Sequence, residues 1–256
     1  ILLMMEQKKY YIGCSGWNYR HWEGVFYPET LAKSEWLQYY ASVFNTVEIN
    51  ATFYRQFKDS TYINWYNKVP QGFCFSVKMS KYITHIKRLV DVSAEVQTCV
   101  ASASLLQEKL GVILIQLPPS LKFDASLVDD FLAILPGNYR YTIEARHASW
   151  LCDSSLELLQ RYNVGWCISD TAGRYPYYEA ITADFVYIRL HGSTQLYASN
   201  YSNSELEQWA QKIMKWNKTT WCYFDNDFNA YAANNAMTLQ KILKLARPSP
   251  CSEFMQ

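Results

Sequence analysis

Glu48, Lys78, Glu144, Arg146, Arg189, His191 and Asp225 each sit at or near the end of a short, largely apolar run. Side chains of these types do acid–base work when they share a site. Two carboxylates such as Glu48 and Glu144 can divide into an acid and a base if their surroundings push their pKa values apart. Lys78, Arg146 and Arg189 can hold an anion or a developing negative charge. His191 can carry a proton near neutral pH. Glu48, Glu144, His191 and Lys78 are therefore the catalytic candidates. Trp17, Asn50, Tyr54, Gln116, Arg146, His147, Trp150, Arg189, Asp225, Asn226 and Asp227 are the candidates for holding a substrate.

Strand-like and helix-like segments alternate along the chain and would have to position these groups. Strands are expected over 10–14, 46–50, 73–79, 112–117, 141–146, 164–169, 185–190 and 220–224. Helices are expected over 31–44, 60–68, 92–110, 127–135, 154–162, 205–216 and 235–245. Ser60, Asp91 and either Asp153 or Ser154 are the expected N-caps, with Ser204 just before the 205–216 helix and Gly111 as a helix stop. Residues 172–183 carry little helix signal. This alternation over 256 residues suits a single parallel (β/α)8 TIM-type barrel. A doubly wound open sheet competes, but no GxGxxG follows the first strand and no GxxxxGK[ST] occurs.

Side chains on a strand alternate faces. Thr46, Glu48 and Asn50 share one face, Val47 and Ile49 the other. Ser76 and Lys78 oppose Phe75, Val77 and Met79. Thr142, Glu144 and Arg146 oppose Tyr141, Ile143 and Ala145. Tyr187, Arg189 and His191 oppose Val186, Ile188 and Leu190. Tyr223 and Asp225 oppose Cys222 and Phe224, and Gln116 opposes Ile115 and Leu117. The apolar face must meet the helices, so the polar face looks into the lumen. Its charges lie at the strands' C-terminal ends, where barrel enzymes place their chemistry. A competing reading is a compensated network that only locks the barrel, with Glu48 beside Lys78 and Arg189 beside Asp225 across adjacent strands.

His21, His85, His147 and His191 all follow odd-numbered strands. They form no HxH or HExxH spacing, and the 7 cysteines contain no CxxC. A divalent metal gathered by Glu48, Glu144, His191 and Asp225 stays open, without a specific motif behind it. Trp17, Trp22, Tyr54, Trp150, Tyr197 and Tyr201 are loop aromatics that suit a sugar or nucleobase face.

The formal net charge is +1, so no strong field steers the chain to nucleic acid or an anionic membrane. Ile1–Met5 is too short for the apolar region of a signal peptide, and no apolar run reaches membrane-spanning length. Cys74, Cys167 and Cys222 lie in apolar runs and read as buried thiols, which fits a reducing cytoplasmic compartment. Residues 1–9 and 247–256 read as frayed ends around one barrel domain over 10–246.

Several motifs together resemble the YecE-like proteins, catalogued as domain of unknown function 72. They open with Gly13-Cys-Ser-Gly-Trp17 and Gly24-Val-Phe-Tyr-Pro28. They continue with Val47-Glu-Ile-Asn-Ala-Thr-Phe-Tyr-Arg55, Phe75-Ser-Val-Lys78 and Thr84-His85. Gln116-Leu-Pro-Pro119, Glu144-Ala-Arg-His147 and Ser149-Trp150 follow. Tyr187-Ile-Arg-Leu-His-Gly192, Tyr223-Phe-Asp-Asn-Asp227, Tyr231-Ala232 and Asn235-Ala236 complete the set. The resemblance implies a TIM-type barrel of unassigned activity and brings no agreed catalytic residues. Two positions depart from the family pattern: Phe57 stands where a Pro is usual, and Asp225 where an Asn is common.

The expected function is an enzyme acting on a small polar or phosphorylated, carbohydrate-like substrate by acid–base chemistry of the hydrolase or isomerase kind. A non-catalytic protein that binds or senses a small ligand in the same pocket is the alternative. A nucleic-acid-acting protein is a third reading, prompted by the basic stretch Lys81–Arg88 and opposed by the near-zero charge. The expected partner is a small polar or anionic ligand. No membrane is expected, and oligomeric state is not readable.

Overall fold

The computed structural model describes residues 9–245. The expected frayed ends fall, apart from Lys9, outside the described residues. Eight parallel strands close into a barrel in simple sequence order. They are β1 (Tyr10–Ser15), β2 (Thr46–Ile49), β3 (Cys74–Lys78), β4 (Leu110–Gln116), β5 (Arg140–Glu144), β6 (Gly165–Asp170), β7 (Phe185–Leu190) and β8 (Thr219–Phe224). Helix α1 (Trp36–Val43) follows β1, and the short α2 (Ala51–Tyr54) with α3 (Asp59–Lys68) follows β2. After β3 come a π-helical turn (Tyr82–Ile86) and α4 (Ser93–Ser104). Helices α5 (Ala125–Ala133), α6 (Asp153–Arg161), α7 (Asn203–Trp216) and α8 (Tyr231–Ile242) follow β4, β5, β7 and β8. The β6–β7 connection, poor in helix signal, contains no helix.

Two separate apolar clusters confirm the strand phase. Val47, Ile49, Phe75, Val77, Ile143, Ile188, Leu190 and Phe224 belong to the cluster between sheet and helices. Cys74, Val112, Leu114, Cys167, Phe185, Tyr187, Trp221 and Tyr223 form a second cluster inside the barrel. The lumen is thus a packed core rather than a pore. At its N-terminal end Tyr11 stacks on Trp221 at 5.0 Å, and Phe185 meets the same indole edge-on at 5.6 Å. Above them the Tyr223 hydroxyl lies 2.6 Å from Thr46 Oγ1 and 2.8 Å from Ser76 Oγ. The charged layer rests on this hydroxyl layer.

Several local expectations differ. Helix α3 starts at Asp59, with Lys58 rather than Ser60 in the cap position. Neither Asp91 nor an Asp153 or Ser154 side chain caps its helix; Val92 and Cys152 occupy those positions. Helix α4 stops at Ser104, because a 3-10 turn over Gln107–Lys109 feeds directly into β4. Gly111 is therefore a strand residue. A Cβ there would come within 2.4 Å of Cys74 Sγ and 2.9 Å of Trp221 Nε1, so its missing side chain makes room for the lumen indole. Helix α7 starts earlier than expected, and its cap is Ser202. That residue forms a reciprocal capping box with Glu205, a device worth about 1 kcal/mol.

Candidate functional site

The charged layer is organised by one side chain. Arg189, at the end of β7, is 1% exposed. Its Nε lies 3.1 and 3.0 Å from the two Glu48 oxygens, and its Nη2 donates to Glu48 Oε1 at 2.8 Å. Its Nη1 donates to Glu144 Oε2 at 2.7 Å, and Nη2 also reaches Asp225 Oδ2 at 3.2 Å. One guanidinium thus binds carboxylates from β2, from β5 and from the residue that follows β8. Only a planar fork of five donors can do this.

The carboxylates have further partners. Ser15 Oγ and the Tyr187 hydroxyl donate to Glu48 at 2.5 and 2.6 Å. Gln116 Nε2 donates to Glu144 Oε2 at 2.9 Å, and Arg146 Nε to Oε1 at 3.0 Å. Burial alone would raise the Glu144 pKa, but Arg146 and Arg189 outweigh it and hold it well below the carboxylate range. Burial likewise opposes ionisation of Asp225, and Arg189 and His191 overcome it. Glu144 is consequently a poor proton donor at neutral pH.

His191 is buried beside this cluster, its Nε2 3.2 Å from Arg189 Nη1. Arginine can only donate, so a neutral His191 accepts at Nε2 and carries its proton on Nδ1. That nitrogen is 2.9 Å from Asp225 Oδ2, yet it makes no well-aligned hydrogen bond.

Lys78 differs from the other charges. It is 6% exposed, and among the described residues no carboxylate lies within 4.0 Å of its ammonium. Its Nζ sits 4.1 Å from the centre of the Phe53 ring, a cation–π contact. Burial first, and then the Arg189 charge, lower its pKa to about 8. The pairing of Lys78 with Glu48 expected from adjacent strands does not form. Glu48 lies in register with Ser76, and its charge is taken by Arg189 from across the lumen.

At the mouth, His85 packs edge-on against Phe53 at 4.9 Å, and its Nδ1 is 2.8 Å from Thr84 Oγ1. Burial, Lys78 and Arg146 together lower its pKa to about 4. Arg146 stacks its guanidinium 4.5 Å from the Tyr175 ring centre. The buried atoms Asn50 Oδ1 and Ser169 Oγ have no hydrogen-bond partner among the described residues. Asn50 directly follows β2, and Ser169 is the penultimate residue of β6, so both lie at the C-terminal end of the barrel. Among the described residues no group of three His, Cys, Asp or Glu side chains is placed to hold a metal ion.

A family model described as a protein of unknown function, DUF72, matches residues 11–253. The chain belongs to the DUF72 family. The YecE protein of Escherichia coli K12 is 26% identical over 239 residues, spanning 83% of this chain and 84% of that protein. A crystal structure of a DUF72 family protein from Thermotoga maritima superposes with a TM-score of 0.84 at 29% identity, covering 92% of this chain and 99% of that one. A DUF72 family protein from Enterococcus faecalis superposes at 0.83 with 18% identity, over 96% of this chain and 100% of that one, a likeness of fold. No described helix is long and apolar enough to cross a membrane.

In this DUF72 chain the barrel brings Glu48, Lys78, Gln116, Glu144, Arg146, Arg189, His191 and Asp225 together. Other candidates stand apart. Trp150 is fully buried and donates Nε1 to the Leu121 carbonyl at 3.0 Å, so it is a core residue. His147 caps a 3-10 turn through the Ser149 backbone N–H. Trp17 packs edge-on against Trp65, and Tyr54 is 67% exposed on α2. Asn226 donates to the Ser199 carbonyl and to Asn235, tying loops together. Asp227 accepts from Trp22 Nε1 at 2.6 Å and faces His21 Nε2 at 3.0 Å. Among the loop aromatics, Trp22 and Tyr201 are also buried.

Ser15, Phe53, His85, Tyr175 and Tyr187 are not among the site candidates read from the sequence, yet His85 packs on Phe53 and the other four touch the charged layer. Ser15 and Tyr187 share the lumen phase of Glu48 and Arg189, a signal available from alternation. Phe53, His85 and Tyr175 lie on connections whose path alternation does not describe.

Proposed function

We propose that this DUF72 chain is an enzyme that acts on a small, polar, anionic substrate bound at the C-terminal mouth of the barrel, between Lys78 and Arg146. One observation carries the reading: Lys78 is a lumen ammonium with no carboxylate partner within ion-pair distance among the described residues, whereas Glu48, Glu144 and Asp225 are all engaged by Arg189. An unpaired buried cation needs either a purpose or a ligand. The unpartnered Asn50 Oδ1 and Ser169 Oγ support a polar ligand at the same end. Proton transfer falls to Lys78, whose pKa burial and Arg189 lower to about 8, rather than to the clamped Glu144. Glu48 and Glu144 then serve mainly to hold Arg189, Arg146 and the charge balance of the pocket. The buried thiols Cys14, Cys74, Cys167 and Cys222 support a reducing, cytoplasmic setting.

A screen of small phosphorylated and carboxylated compounds, read by thermal shift and by mass spectrometry of products, tests this. A hit should be turned over by the parent, and Lys78→Met should abolish turnover. Arg146→Ala should weaken binding on the order of 10-fold or more. A hit handled equally well by both variants overturns the reading. The non-catalytic alternative draws support from the same clamp, since no described lumen carboxylate is left unbonded to act as a base. A ligand that binds tightly and is recovered unchanged after prolonged incubation would favour it.

A further inference from the structure

Lys78 has the surroundings of an amine that reacts, not only of a cation that attracts. It lies at the C-terminal end of β3, buried to all but 6%, in the lumen where barrel sites gather. Its backbone is tied down, because the single Thr52 hydroxyl proton is shared between the Lys78 carbonyl at 2.7 Å and the Ile49 carbonyl at 2.9 Å. Its nitrogen rests on the Phe53 face, and the same ring makes a perpendicular contact with His85. The charged and titratable groups around it are Glu48 from β2, His85 from the π-helical turn, Glu144 from β5 and Arg146 just after it, Arg189 from β7 and Asp225 just after β8. The three carboxylates are committed to Arg189, so none locks the ammonium in its charged form by a direct pair. Arg146 holds Glu144 Oε1 with Nε and Nη2, which leaves its Nη1 to meet an anion at the same mouth.

We propose that Lys78 forms an imine with a small carbonyl compound that carries a carboxylate or a phosphate. This rests on the enzymatic reading above and names the substrate class. The free amine forms a C–N bond to the carbonyl carbon, and the C=O π pair moves to oxygen, which takes a proton. The nitrogen lone pair then closes the C=N bond as that oxygen, protonated again, leaves as water. Ammonium plus carbonyl become a protonated imine plus one water, with charge conserved and nothing oxidised or reduced. The cationic imine draws electrons from the neighbouring carbon, as Schiff-base lysines do. Because burial and Arg189 lower the Lys78 pKa to about 8, the side chain holds on the order of 100-fold more free amine at neutral pH than an ordinary surface lysine.

Borohydride trapping of the intact chain tests this. The protein is incubated with pyruvate, dihydroxyacetone phosphate or acetone, reduced, digested and mapped by mass spectrometry. The expected result is a reduced adduct on Lys78 at least about tenfold above any surface lysine. The pyruvate and phosphate arms show which anion is preferred, and either should exceed acetone. Labelling of Lys78 should climb to about pH 8 and then level. Even labelling of many lysines, or a Lys78 yield still climbing through pH 10, overturns the proposal. Lactate and glycerol 3-phosphate, which carry the anion without the carbonyl, separate the two readings by thermal shift. A shift with no Lys78 adduct removes the imine and leaves the anion pocket. A Lys78 adduct as strong with acetone as with the anions, and no shift, keeps the imine and removes the anionic substrate.

Discussion

Glu48 and Arg189 stand 141 residues apart in sequence and meet across the barrel, with guanidinium nitrogens 2.8 to 3.1 Å from the carboxylate. They are not on adjacent strands. Glu48 belongs to β2 and Arg189 to β7, so the pair spans the lumen. Both side chains are almost entirely buried.

Removing the arginine leaves buried Glu48 without its cation and takes one partner each from buried Glu144 and partly buried Asp225. Arg189→Met should destabilise the chain by about 3–5 kcal/mol, the cost of breaking a buried pair from one side. Adding Glu48→Gln should recover part of that loss. Urea denaturation of both variants measures it, and a loss below about 1 kcal/mol for the single variant would show that the clamp is not structural.

The acid limb of stability should carry the Glu144 signature. Its folded pKa lies well below its unfolded value of about 4.3, so its stabilisation is complete above that value. It is lost as pH falls from about 5 towards the folded value. Glu144→Gln leaves Arg146 with one fewer partner and should be less stable at pH 7. The gap between parent and variant should narrow between about pH 5 and pH 3. A constant gap in denaturation midpoints across that range would sink the idea.

Lys78 should be a cost to the fold. The folded chain releases this proton near pH 8, the unfolded chain near about 10.4. In that window the unfolded state binds more protons, so the parent gains stability as pH rises. Lys78→Met removes the buried charge and keeps contact with Phe53. It should stabilise the chain at pH 7 by about 1–3 kcal/mol, and the advantage should shrink as pH approaches 10. Differential scanning calorimetry at pH 7 and pH 10 decides; a variant less stable than the parent at pH 7 contradicts it.

Gly13 sits where α1 reaches into the sheet. The Tyr40 hydroxyl accepts from the Cys14 N–H at 2.7 Å and donates to the Thr46 carbonyl at 3.0 Å, bridging β1 and β2. A Cβ on Gly13 would fall 2.2 Å from that carbonyl oxygen and 2.8 Å from the hydroxyl. Gly13→Ala should therefore cost about 2–3 kcal/mol through overpacking. Adding Tyr40→Phe to the Gly13→Ala variant should recover little, because the nearest obstacle is backbone. Full recovery in that double variant would point to the hydroxyl instead.

Much of the barrel was legible in the chain. Alternation sorted Val47, Ile49, Ile188 and Leu190 from Glu48, Arg189 and His191, and hydrophobic burial leaves only one way to seat those two faces. Helix caps were less legible: Ser60, Asp91 and Ser154 are good cap residues, yet Lys58, Val92 and Cys152 take the cap positions, because each helix is entered from a preceding helical turn rather than straight from a strand. Trp150 and Trp22 look like loop aromatics until the helices close over them.

Which side chains face the lumen, and at which end, follows from the order of residues alone, because a period of two leaves a strand no other choice. Their partners follow only from the closed fold. Closure of the barrel brings the ends of β2, β5, β7 and β8 around one axis, and there a single guanidinium takes Glu48 in place of Lys78 on the adjacent strand. Partnership depends on distances through the lumen, which strand periodicity does not encode.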